Sequence, residues 1–424
     1  MELKPGYKKT EVGMIPEDWN VVLLGDLFSF KNGLNKGKEY FGYGMPIINY
    51  MDVYGCSGIF PENIKGRVHV NKQELKSFDV HKGDVFFTRT SETVEEIGIT
   101  AVVLDEPHDT VFSGFLLRAR PKNKYIDDGY KKYCFSSGVI RKAITSKSSY
   151  TTRALTNGRL LSIVPLPLPS IPEQKTIAKA LSDADALIES LEQLLSKKRD
   201  IKQGAMQELL TGKKRLPGFS GEWKVKSFRE ICWFQEGPGV RNSQFTVSGI
   251  KLLNGTNIFR GVLDLDTTSR FISEKEAYGA YAHFLADAGD IVIASSGITI
   301  ERFHDKVAFV RKANLPFCMN TSTIRFKPSV GVLSSKFLYQ YLISDIFKRA
   351  IGGQATGSAQ LNFGPSHIEK VTISLPSVPE QTAIATILSD MDAEIADQEA
   401  KLSKARRIKQ GMMQELLTGR IRLV

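Results

Sequence analysis

The chain has 424 residues, more than a single hydrophobic core usually supports, and we therefore predict two or more domains. Hydrophobic residues make up 42% of it, and the net charge of +11 favours a polyanionic partner, either nucleic acid or an acidic membrane surface. No apolar run approaches the ~18–20 residues of a membrane span, and the first residues lack the apolar segment of a signal peptide, so we expect a cytoplasmic protein.

The first block of the chain, residues 1–171, is predicted to be a domain of the α+β class. Its short apolar runs are rich in Val, Ile and Phe and are separated by Gly, Pro and Asn, a pattern typical of strands. These runs are VVLLGDLFSF, GMPIINY, GRVHV, GDVFFTRT, GITAVVLDE and VFSGFLLRARP. Residues 127–144 have helical spacing instead, and the prolines of IVPLPLPSIP predict an extended edge strand or linker. We predict a mostly antiparallel or mixed sheet.

Residues 172–216 are predicted to form one long helix. Pro172 and Glu173 suit its first turn, because proline is tolerated there and a carboxylate complements the helix dipole. The sequence Leu-Leu-Thr-Gly at 209–212 suits its end, since glycine terminates helices well. A continuous helix of about 40 residues is ~60 Å long.

The rest of the chain repeats this arrangement. Residues 217–378 are a diverged copy of the first block, in which Trp223 corresponds to Trp19 and Gly289-Asp290 corresponds to Gly83-Asp84. Residues 379–424 repeat the helix: segments 171–216 and 378–423 align without a gap, and 29 of their 46 positions are identical. The helices are alike and the blocks differ, which indicates that the helices meet the same kind of partner and the blocks different ones.

Apolar residues in both helices recur with alternating spacings of four and three, which predicts a coiled coil. The seam residues are Ile177, Leu181, Ile188, Leu191 and Leu195 in the first helix and Ile384, Leu388, Met391, Ile395 and Leu402 in the second. Beyond this seam the pattern shifts phase and continues on Ile201, Ala205 and Leu209 in the first helix and on Ile408, Met412 and Leu416 in the second. Gly204 and Gly411 occupy the same place in both copies, where they either permit the close approach of another backbone or are tolerated at a surface.

The distribution of charge predicts how the two helices pair. The first half of each helix is acidic and the second half is basic. Antiparallel packing places opposite charges together, and although each exposed pair contributes only ~0.2–1 kcal/mol, such pairs select register and direction. We therefore predict an antiparallel pair with the two blocks at opposite ends, related by a pseudo-two-fold axis. The alternative is that these charges form a solvated face of helices that pack elsewhere.

Motifs for catalysis and metal binding are missing from the sequence. It has no GxxxxGK loop, no GxGxxG after a strand, no NPPY- or DPPY-like tetrapeptide for base methylation and no GxSxG. Cys56, Cys134, Cys232 and Cys318 form no CxxC, and the histidines form no HxH or HExxH, so we expect reduced thiols and no metal site. We predict a chain without catalytic activity of its own.

Two diverged blocks, each followed by a near-identical helix that begins with PEQ and ends with QELLTG, resemble the specificity (S) subunit of Type I restriction–modification systems. The resemblance covers essentially the whole chain. It implies that residues 1–171 and 217–378 are target recognition domains, each recognising one half of a bipartite, asymmetric site in double-stranded DNA. It also implies that helices 172–216 and 379–424 form an antiparallel coiled coil that sets the spacer between the half-sites.

The same resemblance implies partners for the chain. Two methyltransferase (M) subunits dock on the helices, and restriction (R) subunits join the full complex. S-adenosylmethionine, ATP and Mg²⁺ then belong to these partner subunits, and this chain binds no cofactor. The charge distribution agrees, since residues 1–171 carry a net charge of +4 and residues 217–378 a net charge of +5, where contacts with phosphates are needed.

Two stretches in each block are candidates for contact with DNA, because arginines, hydroxyls and amides suit phosphates and base edges. The candidates are Thr88, Arg89, Thr90, Ser91, Thr152, Arg153 and Asn157 in the first block and Ser295, Ser296, Arg302, Gln354, Thr356, Gln360 and Asn362 in the second. Ser295 and Ser296 depart from the commoner arginine-containing pattern, which leaves Arg302 or Lys306 as substitutes. The alternative for each residue is an ordinary surface loop.

Two other functions compete with DNA specificity. The first is a coiled-coil scaffold that joins two binding modules without DNA specificity, in which case the basic charge is incidental. The second is a fused nuclease or methylase, which the missing motifs disfavour.

Overall fold

Contacts divide the chain into two units. The computed structural model describes residues 5–150, 153–352 and 360–423. Unit 1 comprises Met1–Glu192 together with Lys401–Val424, and unit 2 comprises Gln193–Ala400. Each long helix is therefore divided between the units. Among the described residues, no helix is both long enough and apolar enough to cross a membrane.

Short strands and helices make up most of unit 1. The strands are β1 Tyr7–Thr10, β2 Gly13–Pro16, β3 Asn20–Leu23, β4 Phe28–Asn32, β5 Phe41–Ile48, β6 Gly58–Ile59, β7 Arg67–Val68, β8 Val85–Thr88, β9 Thr90–Ser91, β10 Thr100–Val103, β11 Val111–Phe112, β12 Leu116–Pro121, β13 Ser149–Tyr150, β14 Ala154–Leu155 and β15 Pro165–Leu168. The helices are α1 Leu24–Leu27, α2 Tyr50–Val53, α3 Lys72–Ser77, α4 Asp128–Cys134, α5 Gly138–Lys147, α6 Gly158–Ser162 and α7 Ile171–Leu209, which continues into unit 2.

A mixed sheet forms the centre of unit 1, with the strand order β4-β12-β8-β10-β6. The first four strands pair antiparallel, and β6 adds a parallel edge to β10. Because successive side chains of a strand point to opposite faces, Phe86 and Phe87 of β8 pack into two different apolar clusters. The predicted α+β class with a mixed sheet is confirmed.

The structure divides two segments of the first block that the sequence pattern predicts as single elements. The run VVLLGDLFSF forms β3 and β4, with the helical turn α1 between them. The predicted helix at 127–144 is two helices, α4 and α5, because Ser137 starts a new one as its N-cap: its hydroxyl accepts the backbone N–H of Ile140. The proline-rich segment forms the strand β15, which pairs with β3.

Unit 2 is built from the same kinds of element. The strands are β16 Lys224–Ser227, β17 Cys232–Glu236, β18 Ile250–Leu253, β19 Ile258–Phe259, β20 Val262–Leu263, β21 Phe271–Ile272, β22 Ile291–Ala294, β23 Ile298–Thr299, β24 Val307–Phe309, β25 Phe317–Met319, β26 Thr323–Pro328, β27 Gln360–Leu361 and β28 Thr372–Leu375. The helices are α8 Phe228–Ile231, α9 Glu274–Tyr278, α10 Ser335–Leu342, α11 Asp345–Gly352, α12 Pro365–Ile368 and α13 Val378–Leu416, which continues into unit 1.

The sheets of unit 2 repeat those of unit 1. Its central sheet has the order β17-β26-β22-β24, with all neighbours antiparallel, and corresponds to β4-β12-β8-β10. In both units a second sheet contains one parallel pair, β5 with β11 in unit 1 and β18 with β25 in unit 2. As α4 and α5 follow β12 in unit 1, two consecutive helices, α10 and α11, follow β26 in unit 2. Within the described residues, the central sheet of unit 2 has no equivalent of β6.

The Gly-Asp pair before the central strand has a structural role in both units. The carboxylates of Asp84 and Asp290 are buried, and each accepts the backbone N–H of the residue three positions earlier, at 2.9 Å. Gly83 and Gly289 have φ values of +84° and +96°, a left-handed conformation that glycine adopts without strain. The pair therefore forms the tight turn from which the central strand starts.

The Pro-Glu-Gln at the start of α7 holds a buried ionic cluster in unit 1. Glu173 accepts the indole N–H of Trp19 at 3.0 Å, and both of its oxygens pair with the guanidinium of Arg422. Arg422 also forms two hydrogen bonds with Asp18, at 2.9 and 2.8 Å. The Glu173 carboxylate is favourable near the helix dipole, as predicted. It also connects the start of α7 to the segment that follows α13.

Unit 2 contains the same cluster at the start of α13. Glu380 accepts the indole N–H of Trp223 at 3.2 Å and two hydrogen bonds from Arg215, at 2.6 and 2.8 Å. Trp223 is only half-buried, whereas the tryptophan of unit 1 is fully buried. Arg215 follows α7, so here the start of α13 is connected to the segment after α7.

The two long helices run antiparallel within each unit. In unit 2, the ion pairs between them include Lys198–Glu394, Arg199–Glu399 and Lys202–Asp392. In unit 1 they include Arg406–Glu192 and Lys409–Asp185. In each unit an acidic first half faces a basic second half, which confirms the predicted direction of pairing.

Burial along the predicted seam is uneven. Ile177, Leu181, Leu195, Ile384, Leu388 and Leu402 are buried, and Ile188, Leu191, Met391 and Ile395 are half-buried. Ile177 and Leu181 pack with Leu416 inside the main apolar cluster of unit 1, so the start of the seam belongs to a domain core as well as to the helix pair. The expected continuation is wrong at Ile201 and Ile408, whose side chains are each 52% exposed, whereas Leu209 and Leu416 are buried and Ala205 and Met412 are half-buried.

The ends of the helices differ slightly from the predicted ones. α7 ends at Leu209 and α13 at Leu416, and the expected glycines, Gly212 and Gly419, follow one turn later in left-handed conformations. At the helix glycines Gly204 and Gly411, an added Cβ atom would meet no other atom within 4 Å. Neither of these two glycines is therefore required for close packing inside its own unit.

Candidate nucleic-acid interface

The two candidate stretches of the first block lie side by side in unit 1. β9, which consists of Thr90 and Ser91, pairs antiparallel with β14, which directly follows Arg153. The backbone N–H of Thr156 donates to the carbonyl oxygen of Arg89 at 3.0 Å and extends this pairing. Two stretches that are far apart in the sequence therefore form one surface.

The same pairing occurs in unit 2. β23 pairs antiparallel with β27, which begins at Gln360. The backbone N–H of Phe363 donates to the carbonyl oxygen of Ser295 at 2.9 Å, and the side chain of Asn362 accepts the N–H of Gly297 at 2.8 Å. The second block thus brings its two candidate stretches together in the same way.

Two of the candidates lie inside their units rather than on this surface. Thr88 is fully buried, and its hydroxyl donates to the carbonyl of Glu96 and accepts the N–H of Ile99. Ser295 is 1% exposed. Their hydroxyls complete local hydrogen bonding, and the expectation that they lie at the surface is wrong.

The remaining candidates differ in exposure. Arg153, Asn157, Ser296, Arg302, Gln360 and Asn362 are exposed, Arg89 and Thr90 are half-buried, and Ser91 is buried. Thr152, Gln354 and Thr356 lie outside the described residues. Lys306 donates to the carbonyls of Gly255 and Ile258, at 3.0 and 2.8 Å, so it is not a free substitute for the missing arginine.

Asn157 has a structural role at the start of α6. As the N-cap residue, its side chain accepts the backbone N–H of Leu160 at 3.0 Å. Gly364 is the N-cap of α12 in unit 2. The counterpart of Asn157 is therefore Gly364, and not Asn362 as the sequence comparison suggests.

A pocket of about 530 Å³ opens beside β9 in unit 1. The rings of Tyr50 and Tyr54 line it and stack on each other, with centroids 5.7 Å apart and planes inclined by 19°. Met51, which is exposed, and Arg153 complete its rim. The pocket therefore combines flat aromatic surface with a cation, both of which suit contact with nucleic acid.

Glu96 forms a polar wall of this pocket. Its carboxylate accepts the hydroxyl of Tyr54 at 2.8 Å and the hydroxyl of Ser91 at 3.2 Å. Both hydrogen bonds lower the pKa of Glu96, and the one from Tyr54 has the larger effect. The same bond raises the pKa of the Tyr54 hydroxyl. Glu96 is therefore an ionised acceptor with a fixed orientation at neutral pH.

The tyrosines and Glu96 are not among the residues predicted from the sequence. The sequence does contain one signal for this turn: Asn49 is followed three residues later by Asp52, a capping-box pattern that is typical of the start of a helical turn. In the structure the backbone N–H of Asn49 donates to the carboxylate of Asp52 at 2.7 Å. This turn presents Tyr50 and Met51 beside β9, which lies far along the chain.

The corresponding turn of unit 2 has the same backbone arrangement. It is the 3₁₀ helix Gly255–Asn257, in which the side chain of Asn257 accepts the backbone N–H of Asn254 at 3.0 Å. Asn257 therefore takes the place of Asp52, which fixes the register between the two turns.

In this register the side chains of the two turns are different. Gly255 stands where unit 1 has Tyr50, and Phe259 stands where it has Tyr54. The guanidinium of Arg260 lies over the ring of Phe259, 5.3 Å from its centroid. Unit 2 thus presents a cation and a single ring where unit 1 presents two stacked tyrosines.

The cysteines and the other possible metal ligands are dispersed. Cys134, Cys232 and Cys318 are buried, Cys56 is exposed, and all are free thiols. Burial raises the pKa of the Cys232 and Cys318 thiols to about 12. Within residues 5–150, 153–352 and 360–423, no group of three or more His, Cys, Asp or Glu side chains could hold a metal ion.

Comparisons with known proteins extend these observations. A family model described as the Type I restriction modification DNA specificity domain matches the chain twice, over residues 16–197 and 220–405. The Type I restriction enzyme MjaVIII specificity subunit of Methanocaldococcus jannaschii is 26% identical, over 98% of this chain and 96% of its own length. The EcoKI specificity subunit of Escherichia coli is 22% identical, over 47% of this chain and 43% of its length.

Two solved structures share the fold. The crystal structure of the Type I restriction–modification S subunit from M. genitalium matches with a TM-score of 0.53 at 16% identity, over 98% of both chains. A chain from a study of complex assembly and conformational transition in the type I R-M system matches with a TM-score of 0.59 at 16% identity, over 96% of this chain and 99% of that one.

Proposed function

Since the chain belongs to the Type I restriction modification DNA specificity domain family, we propose that it is the subunit that gives such a system its sequence specificity. Each unit recognises one half of a bipartite, asymmetric site in double-stranded DNA. The observation that carries this proposal is the contrast within the repeat: one framework occurs twice, with different side chains on the same turn and beside the same paired strands. Two unlike surfaces on one framework suit two unlike half-sites.

In this proposal the long helices set the distance between the half-sites and bind two methyltransferase subunits. The near-identity of the two helices supports it, because two copies of one surface suit two copies of one partner. The repeated ion pairs Arg199–Glu399 and Arg406–Glu192 fix the same register in both units. The open surface at Gly204 and Gly411 leaves room for another backbone to approach.

We assign the chemistry of the system to the partner subunits. S-adenosylmethionine, ATP and Mg²⁺ are bound by the methyltransferase and restriction subunits, and this chain contributes DNA binding and assembly. The family description supports this division, since it names DNA specificity as the role of the domain.

An insertion tests the role of the helices. About four residues added after Gln203 lengthen α7 by roughly one turn, ~6 Å. The variant is expressed with the methyltransferase subunits of its host, and methylome sequencing gives the methylated motif. We expect a spacer longer by about one or two base pairs at ~3.4 Å each, with both half-sites unchanged. The matched control is the same insertion after Val330, a fully exposed loop residue of unit 2, which should alter nothing.

Two results would contradict the proposal. The first is a continuous methylated motif in the wild-type system. The second is an insertion in α7 that changes a half-site and leaves the spacer unchanged. A scaffold without DNA specificity is distinguished by salt: the complex with its methyltransferase subunits should lose roughly 10³-fold or more in DNA affinity between about 50 and 200 mM salt, whereas a scaffold would show no sequence preference at either concentration.

A further inference from the structure

The pocket beside β9 provides chemistry that distinguishes one base from the other three, and the inference from it rests on the proposed function of unit 1. Its polar wall is a carboxylate, which is unusual at a surface that meets DNA phosphates. Glu92 also lines the pocket, and Arg153 is the cation on its rim. A carboxylate at such a place is favourable only where it meets a hydrogen-bond donor, because phosphates repel it.

Hydroxyl groups hold the Glu96 carboxylate in place. Tyr54 donates to one oxygen and Ser91 to the other. An ionised carboxylate has about four lone-pair sites, so it keeps acceptor capacity on the side that faces the pocket. The stacked rings of Tyr50 and Tyr54 line the same pocket.

We propose that Glu96 recognises the N4 amino group of a cytosine in the half-site bound by unit 1. In the major groove, cytosine presents the N4 donor alone, which matches a group that only accepts. Guanine and thymine present acceptors, which repel a carboxylate, and adenine places the N7 acceptor beside its N6 donor, which makes it a poorer match than cytosine. Arg153, on the rim, has the donors that suit the N7 and O6 atoms of the paired guanine.

Unit 2 offers different chemistry at the same place. The segment after β23 is the 3₁₀ helix Ile300–Lys306, which carries the exposed Glu301 and Arg302, whereas the segment after β9 carries Glu92, Glu95 and Glu96. Its turn presents Gly255 in place of Tyr50. The two units therefore present different groups at this place, and Glu96 acts on one half-site only.

The test compares two substitutions, each of which removes one negative charge from the same loop. Glu96→Gln converts the acceptor into an amide that also donates, a group that suits the N6 and N7 atoms of adenine. Glu95→Gln changes a neighbouring residue whose side chain does not line the pocket. Each chain is expressed with its methyltransferase subunits, the wild-type motif is determined by methylome sequencing, and binding of the complex is measured on duplexes with every position of both half-sites substituted.

We expect one position of one half-site to respond. The preference for a C·G pair there should fall roughly 5- to 150-fold in Glu96→Gln, with adenine gaining, and the other half-site should not change. Glu95→Gln should keep the wild-type preference. Tyr54→Phe, which removes the donor that orients the carboxylate, should weaken the preference at the same position by a smaller factor.

The outcomes separate this inference from the proposed function. If the wild-type complex has no bipartite motif, the proposed function fails. If the motif is bipartite but neither half-site requires a C·G pair, or if Glu96→Gln changes no position, or changes the same position as Glu95→Gln, the assignment of Glu96 is overturned and the proposed function stands.

Discussion

Unit 1 places Tyr50, Tyr54 and Glu96 around one pocket, and unit 2 places Gly255 and Phe259 at the two corresponding positions of its turn. The backbone that carries these residues is alike in both units, down to the capping of the turn and the pairing of the strands beside it. Specificity is therefore separable from folding: side chains of the turn and the following loop can change while the framework keeps its hydrogen bonds.

The framework itself shows the opposite behaviour. The tryptophan, glutamate and arginine at the helix starts make the same contacts in both units, as do the Gly-Asp turns. These groups are buried or partly buried and hydrogen-bonded, so a change in one leaves an unpaired partner. The clusters differ in degree, since the tryptophan of unit 1 is more deeply buried and the arginine of unit 1 has Asp18 as an additional acceptor.

The largest difference in stability between the units should appear at the two tryptophans. Trp19→Ala removes a fully buried side chain and should cost about 3–5 kcal/mol, whereas Trp223→Ala, at a half-buried position, should cost about half as much. Hydrogen exchange measured peptide by peptide should show faster exchange in the unit that carries the substitution. Trp19→Phe is the control, because it keeps most of the apolar volume and loses only the N–H donor to Glu173. Equal losses of stability in Trp19→Ala and Trp223→Ala would contradict the expected effect of the difference in burial.

A histidine gives unit 1 a dependence on pH that unit 2 lacks at the same position. The ring nitrogens of His81 face Glu106 at 2.7 Å and Asp79 at 2.8 Å. The hydrogen bond with Glu106 has the largest effect and raises the pKa of His81, and the hydrogen bond with Asp79 raises it further. Burial and the charge of Arg120 act in the opposite direction but are outweighed. Because the folded-state pKa is raised, the protonated ring adds stability that is fully present below pH 6.5, its ordinary value, and is lost as pH rises through the folded value.

In unit 2 this position is Asp287, where the hydrogen bond from Lys327 lowers the pKa of the carboxyl. The ionised carboxylate of Asp287 therefore adds stability that is fully present above pH 3.8, its ordinary pKa. This stability is lost only as pH falls through the lower pKa of the folded state. Between about pH 6 and pH 8.5, hydrogen exchange corrected for intrinsic rates should therefore show unit 1 loosening around His81 while the segment around Asp287 stays constant. His81→Gln should abolish this change. A pH response of the same size in the variant would show that another group titrates.

The sequence pattern is sufficient for the parts of the structure that depend on local periodicity. The long helices, their antiparallel direction and the mixed sheets follow from spacing and charge along short segments. The cluster around Glu173 does not, because Arg422 lies 249 residues away and nothing in the local sequence pairs them. The pocket of Glu96 was missed for the same reason, since its walls come from the turn after β5 and the loop after β9. The exposure of Ile201 shows that apolar spacing alone does not identify which positions are covered, since the adjacent Lys202 still pairs with Asp392 of α13.

The smallest expected difference concerns the helix pair. Unit 2 contains the ion pair Lys198–Glu394 at 2.6 Å, and the corresponding positions of unit 1 hold Ala405 and Leu187. Introducing Ala405→Lys together with Leu187→Glu should create this pair in unit 1, with a coupling energy of about 0.2–1 kcal/mol in a double-mutant cycle. Because both positions are partly exposed, the coupling should fall as salt is raised from about 0.01 to 1 M. A coupling of zero at low salt would mean that the helices of unit 1 do not share the local register of unit 2, although Arg406–Glu192 and Arg199–Glu399 occupy equivalent positions.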